Sequence, residues 1–538
     1  MGGRRTGGRR IATAMAMSAM ALLIADCDQG SGNELSTQYD DLLLAGPAQI
    51  KSWVADKAAY NGGFMPTGSA AQRSYVDGLA GWLQNSCASG FTRDSFTYLQ
   101  WTPQQVALSL PELGEQAVTV AAPITYSGET AADGLVAPLF QLPDPSVQAT
   151  TVLLDGEPIA QAIANYDVAG RIVIVDMPIP YTPNTVIETQ LFSLNDPNNT
   201  IPPTSPRVWE IGQIAVPQIE AALKAAGAVG MIAVMPYSVA GASQIYSPLN
   251  AVDVGLPGLY LDHTAGSALS QALAAGDVSQ ARLTLVAAVD QAATMDNLIA
   301  TIPGASPRTL LLSSHTDGTN ALEDDGPAAI QALVDYFCRV PQAQRPATLS
   351  IVMDGGHFAG NAGLKHYVAQ NSASLSQNLI AAIEIEHLAA LDLEPQADGS
   401  FALTGLPEQT TLTLSTFSKP PVDAAIRFSN QVPRSLVAPR KLLNFGAGAP
   451  LTAVTDVVQL ITGPNYLLST DIGDVVLNQY INYAAMRDQI GGLVQMILDL
   501  ANTPPADFEQ TVADPTQAGA QSSQTAGSAG SAGYGEAD

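Results

Sequence analysis

The sequence predicts an α/β protein: a mostly parallel sheet with helices on both faces, and an inserted β-rich α/β domain ahead of it. Three observations lead there. From Asn297 onward, short apolar runs alternate with segments of helical period, the pattern of strands joined by crossover helices. Hydrophobic residues make up 46% of the 538 positions and charged residues 13%, which allows a large core and argues against a disordered chain. Between about 117 and 289 the pattern changes to short β-branched runs around one clear helix, so this stretch reads as a module of its own.

Residues 1–26 read as a signal peptide. Arg4, Arg5, Arg9 and Arg10 precede an apolar run from Ile11 to Ala25 that is too short to span a bilayer comfortably. The two Arg-Arg pairs leave twin-arginine export open. Leu23-Ile24-Ala25-Asp26-Cys27 is similar to a bacterial lipoprotein box, with Asp26 where a small residue is usual, so a membrane tether through a lipidated Cys27 and a secreted product are both open. Either way the protein is expected to be exported: secreted, periplasmic or lipid-anchored at the cell envelope. The formal net charge of −27 repels phosphate backbones and excludes nucleic acid as a partner.

After a polar linker, residues 27–36, a helical part is expected over 37–116. Tyr39 to Lys57 should break at Gly46-Pro47, and Gln72 to Leu83 should be capped by the Thr67-Gly68-Ser69 turn. Within the 117–289 module, Val118 to Ile124 and Arg171 to Met177 read as strands and Ile219 to Ala226 as a helix. A glycine turn then leads to a buried strand ending at Val234. The domain from 290 to 502 should contain strands at Leu298 to Ile302, Thr309 to Ser314, Thr348 to Met353, Leu379 to Glu386 and Val457 to Ile461, with helices at Ala328 to Val340, Ala362 to Ala369 and Val475 to Ala501. The tail, 503–538, is rich in Gly, Ser, Ala, Thr and Gln and is expected to be disordered. Cys338 lies beside the helical face formed by Ile330, Leu333, Val334 and Phe337. It is expected to be a buried free thiol, although export would permit a bond to Cys87.

Ligands in such sheets bind beyond the carboxyl ends of the strands, and His315, His357 and Glu386 all fall at or just past such ends. Ser313-Ser314-His315-Thr316-Asp317 places a histidine at a strand end with an acid two residues on, which suits a metal ligand and the group that orients it. Asp324 follows seven residues after Asp317 at a helix start. His387, next to Glu386, should point to the opposite face of the strand and be structural, whereas Glu384 shares the face of Glu386. His366 and His263 read as surface or packing residues.

Asp296 to Glu386 resembles the catalytic domain of the co-catalytic zinc aminopeptidases, the superfamily that also holds glutamate carboxypeptidase and the transferrin receptor ectodomain. The 117–289 module resembles the protease-associated domain that many members carry, and Thr67-Gly68-Ser69 matches their N-terminal segment. The resemblance implies that His315, the bridging Asp324 (with Asp325 its closest rival) and Glu386 hold zinc, with Asp317 orienting His315. The superfamily's adjacent Glu-Glu pair, base then ligand, falls on His357 and Phe358. Its last histidine would fall where this chain has Gly446-Ala447-Gly448-Ala449-Pro450. Phenylalanine and glycine bind no metal, so one zinc ion at most is expected. His357 is left as the substitute base, with Asp354 in a position to orient it. The implied activity is that of a peptidase acting on peptide or protein substrates, weak or altered. The alternative is a non-catalytic module that binds peptides on the same fold.

Overall fold

A computed structural model describes residues 34–143, 156–243, 245–249, 251–252, 255–443, 446–462 and 479–517. The expected signal peptide, Cys27 and the tail beyond 517 lie outside these residues. Among the described residues no helix is long and apolar enough to cross a membrane.

The strand Thr309–His315 pairs in parallel with Thr348–Asp354 on one side and with Leu379–Ile385 on the other, and Leu379–Ile385 pairs in parallel with Val457–Thr462. Its successive leucines explain how the sheet is covered. Leu310 and Leu312 join the core under helices Gly326–Arg339 and Tyr483–Asn502, while Leu311 packs with Leu364, Tyr367 and Leu375 of helix Ala362–Asn378. Side chains alternate between the two faces of a strand, so a continuous leucine run is what a strand buried on both sides requires. The expected mostly parallel sheet with helices on both faces is present.

Beyond Val457–Thr462 the sheet continues through Thr410–Leu414, Ser435–Pro439 and Ser193–Asn195. The 117–289 module has strands Leu135–Gln141, Ile172–Asp176, Gly230–Val234 and Gly258–Leu261, successive neighbours in parallel. Helix Val216–Ala225 packs in the hydrophobic cluster on one side of them, and Leu269 of helix His263–Ala275 packs in that on the other.

The module and the rest of the sheet share a long antiparallel ribbon, Ser89–Leu110 with Gln280–Ile302. The segment 37–116 is therefore not wholly helical. The Thr, Gln and Pro residues of Ser89–Leu110 hide a strand that alternates only weakly, and its regular partner imposes the extended form. The broken first helix behaves as expected, with a helix at Pro47–Ala58, and Ser69 caps helix Ala70–Gln84 by accepting from the Gln72 amide at 3.2 Å.

Two further expectations are corrected. Cys87 and Cys338 form a disulfide: the ribbon starts beside the C-terminal turn of helix Gly326–Arg339, which leaves the two Cα atoms 5.5 Å apart. Residues 503 to 517 are ordered rather than a loose tail, because Phe508 and Val512 pack on the core and Thr511 bridges Ser418.

Candidate metal centre

His315 ends its strand with its side chain buried, and its two ring nitrogens have different surroundings. Nδ1 lies 2.9 Å from the Asp317 carbonyl oxygen and 3.6 Å from its carboxylate, so the carbonyl is the hydrogen-bond partner. This leaves Nε2 facing two acids, 3.7 Å from Asp324 Oδ1 and 3.5 Å from Glu386 Oε2. The Asp317 carboxylate instead accepts from Thr67 Oγ1 at 2.6 Å and from the Phe358 amide at 2.9 Å. Asp317 thus orients His315 through its backbone and ties the Thr67 turn to the His357 segment through its side chain.

Asp324 is held from behind. Its Oδ2 accepts from the amides of Thr319 and Asn320 at 2.8 and 3.2 Å, and its carbonyl takes the buried Lys57 ammonium at 2.8 Å. Its Oδ1 is buried with no hydrogen-bond partner. Gly318 is required beside it, since a Cβ there would lie 1.8 Å from Asp324 Oδ2. Asp325 points elsewhere and accepts from the Leu388 amide at 3.0 Å.

Glu386 follows directly on its strand, and its Oε1 accepts from the Ala447 amide at 2.6 Å. The Gly446 loop, where the resemblance would place a last histidine, thus supplies a backbone donor. Glu384 shares the site's interior but is engaged by the Ser313 hydroxyl.

His357 sits on a short turn after Thr348–Asp354, its ring 4.5 Å from that of His315. It is oriented by Asn361, whose Oδ1 lies 2.6 Å from His357 Nδ1. Asp354 turns to the Gly356 amide instead, so Asn361 replaces the expected orienting group. Phe358 is buried, stacks on Tyr246 of the inserted module at 5.6 Å, and clusters with Phe64, Trp209 and Leu249. It closes one wall of the site with apolar surface, at the position where the resemblance would place a carboxylate.

His387 departs from its expected place. The strand ends at Ile385, and His387 has φ 53°, so alternation stops before it and the imidazole turns back toward the site. Its Nε2 lies 3.8 Å from Glu386 Oε2, and its buried Nδ1 has no partner. The sequence carries no signal for this, because the turn depends on a left-handed residue that is not glycine.

Among the described residues two sets of three donors result, each with all ligand atoms within 4.8 Å of one another: His315, Asp324 and His387, and His315, His357 and Glu386. His315 belongs to both. Burial favours its neutral form, yet Asp317 and Glu386 beside it raise its pKa well above the usual range. Burial likewise opposes ionisation of Glu386, but the His315 partner outweighs it and draws its pKa down to about 2. Burial lowers the pKa of His357, helped by the His315 charge, and lowers that of His387 to about 4. Burial raises Asp354 to about 7, reinforced by Asp317, and raises Glu384 well above the carboxylate range. The centre sets two imidazoles kept neutral by burial, those of His357 and His387, beside His315 and beside carboxylates with unpaired oxygens such as Asp324 Oδ1, the donor types of a zinc site. Its separations near 3.5 Å suit ligands at about 2.0 to 2.2 Å from a shared ion.

No protein-family model matches the sequence, and no curated protein matches it. Solved structures do match. A zinc aminopeptidase from Bacillus subtilis superposes with a TM-score of 0.57 at 15% identity, covering 84% of this chain and 94% of its own. A peptidase M28 precursor from Shewanella amazonensis superposes at 0.59 and 16% identity, covering 85% and 93%. This chain has the zinc aminopeptidase fold. Within that fold the centre lies at the carboxyl ends of the parallel strands, where open α/β sheets place their ligands.

Proposed function

We propose that the chain is an exported, zinc-dependent, peptidase-like hydrolase of the aminopeptidase class, binding one ion at most and turning over peptide substrates weakly. The observation that carries this reading is the position of His315 Nε2 between Asp324 Oδ1 and Glu386 Oε2, at 3.7 and 3.5 Å, on a zinc aminopeptidase fold. In this reading His315, Asp324 and Glu386 would hold the ion, with Asp324 and Glu386 coming one from each of the two donor sets that share His315. Zinc bound there would polarise a substrate carbonyl and acidify water. His357, held by Asn361 at Nδ1 and kept neutral by burial, accepts a proton at Nε2. Asp317 keeps the His315 ring fixed. The inserted module acts as a protease-associated domain, with Tyr246 reaching the wall of the site.

A limit of one ion follows from the shared histidine. Nδ1 of His315 is used by the Asp317 carbonyl, so a single nitrogen serves both donor sets. Phe358 and the Gly446 loop contribute no ligand to a second ion. Export rests on the N-terminal sequence, with attachment through Cys27 one form of it.

The same two replacements favour the second reading, a non-catalytic module that holds peptides. Metal content by mass spectrometry and turnover of a chromogenic aminoacyl amide, on the wild type and on His315→Ala, separate the two. One zinc with slow turnover, both lost in the variant, supports the hydrolase. No zinc and no turnover in either protein supports the binding module.

A further inference from the structure

The zinc aminopeptidase resemblance assigns no role to the residue after the strand-end acid, and a strand continued through Glu386 would point His387 away from the centre. The backbone does otherwise. With φ at 53°, His387 folds its ring back into the site, where it is 97% shielded from solvent and its Nδ1 meets no hydrogen-bond partner among the described residues. A buried imidazole nitrogen without a partner is unfavourable, and so is a left-handed backbone at a residue that is not glycine. Two such costs at one residue need a compensating interaction. One ring nitrogen of His387 lies within 4.8 Å of a ligand atom of His315 and of one of Asp324, and Asp324 Oδ1 is a second buried atom of that set with no hydrogen-bond partner among the described residues.

We propose that His387 is a direct ligand of the zinc ion, together with His315 and Asp324, and makes up for the coordination lost at Phe358 and at the Gly446 loop. This rests on the zinc reading given above. A neutral imidazole contributed from the residue next to Glu386 needs no new element of structure, only the left-handed turn. The chain would then have exchanged a second-metal arrangement for a single ion gripped more tightly by nitrogen.

Glycine adopts φ 53° without strain, so His387→Gly removes the ring while keeping the turn. Zinc affinity is measured by competition with a chromogenic chelator on wild type, His387→Gly and His315→Ala, and cobalt(II) is substituted to read the ligand field by visible absorption. Circular dichroism verifies that each variant is folded. The expected result is one tight zinc in the wild type, affinity at least about tenfold weaker in His387→Gly, a shifted cobalt spectrum, and recovery of both on adding imidazole. Wild-type affinity and an unchanged cobalt spectrum in His387→Gly, with binding abolished in His315→Ala, would overturn the role of His387 and leave the zinc reading standing. Absence of zinc binding by the wild type would overturn both.

Discussion

Breaking the Cys87–Cys338 bond should destabilise the half of the protein that carries the metal centre. The bond closes a loop with a sequence separation of 251, which contains the whole inserted module and the strand that ends at His315. Chain-entropy bookkeeping for a loop of that length gives about 5 kcal/mol at 25 °C, and measured bonds usually deliver about 2 to 4 kcal/mol. The anchor points are firm, since Cys338 lies on a helix packed into the main core and Cys87 opens the long ribbon. The loss should therefore fall within the measured range. Urea unfolding of wild type and Cys338→Ser can be followed by the fluorescence of Trp53 and Trp82, which meet edge to face at 6.2 Å in the two N-terminal helices. The variant should unfold at clearly lower urea, and Cys87 and Cys338 should resist alkylation in non-reduced, denatured wild type. Full alkylation of both cysteines would show that the bond is absent, and equal urea midpoints with the bond present would refute the entropic argument.

Phe358→Ala should cost about 3 to 5 kcal/mol through the cavity left against Tyr246, Phe64 and Leu249, read as a lower thermal midpoint. It should not remove zinc, because Phe358 donates nothing to the centre. If His357 is the proton acceptor, its lowered pKa keeps it neutral below the ordinary 6.5, so the acid limb of kcat/KM should lie below that pH and vanish in His357→Gln. An acid limb unchanged by the substitution would dismiss His357 as base. Zinc requires neutral imidazole, whereas the raised pKa of His315 keeps the metal-free ring protonated, so zinc binding should release a proton and tighten as pH rises. Calorimetry in buffers of different ionisation enthalpy reads that proton. Ser69→Ala should cost about 1 kcal/mol from the lost cap of helix Ala70–Gln84.

The main sheet was legible because its signals are local. Leu310 to Leu312 and Val457 to Ile461 are apolar runs whose burial on both faces leaves little choice of element. The strand Ser89–Leu110, rich in polar residues, was not legible, since its form is fixed by a partner far away in sequence. In the site, the strand-end rule found His315, His357 and Glu386. It failed at His387 by extending alternation two residues past Ile385, to a position where the backbone turns left-handed. Asn361 as the partner of His357, and the Ala447 amide on Glu386, were beyond reach for a similar reason: both are contacts of loops, and no periodicity encodes where a loop folds back.

The ribbon that joins the two halves has a consequence for ancestry. Trp101 pairs with Val289 and Leu108 with Leu283, so the chain leaves for the inserted module and returns from it along adjacent strands. A guest whose two ends sit side by side asks nothing of its host except a doorway. It can be gained, exchanged or trimmed over generations while the host sheet keeps its register. The hydrophobic contact of Tyr246 with Phe358 is a different kind of link, because it joins the guest to a wall of the candidate site. A lineage that had made this contact could no longer drop the module without uncovering the apolar face of Phe358 beside its histidines, so the contact ties the guest to the site.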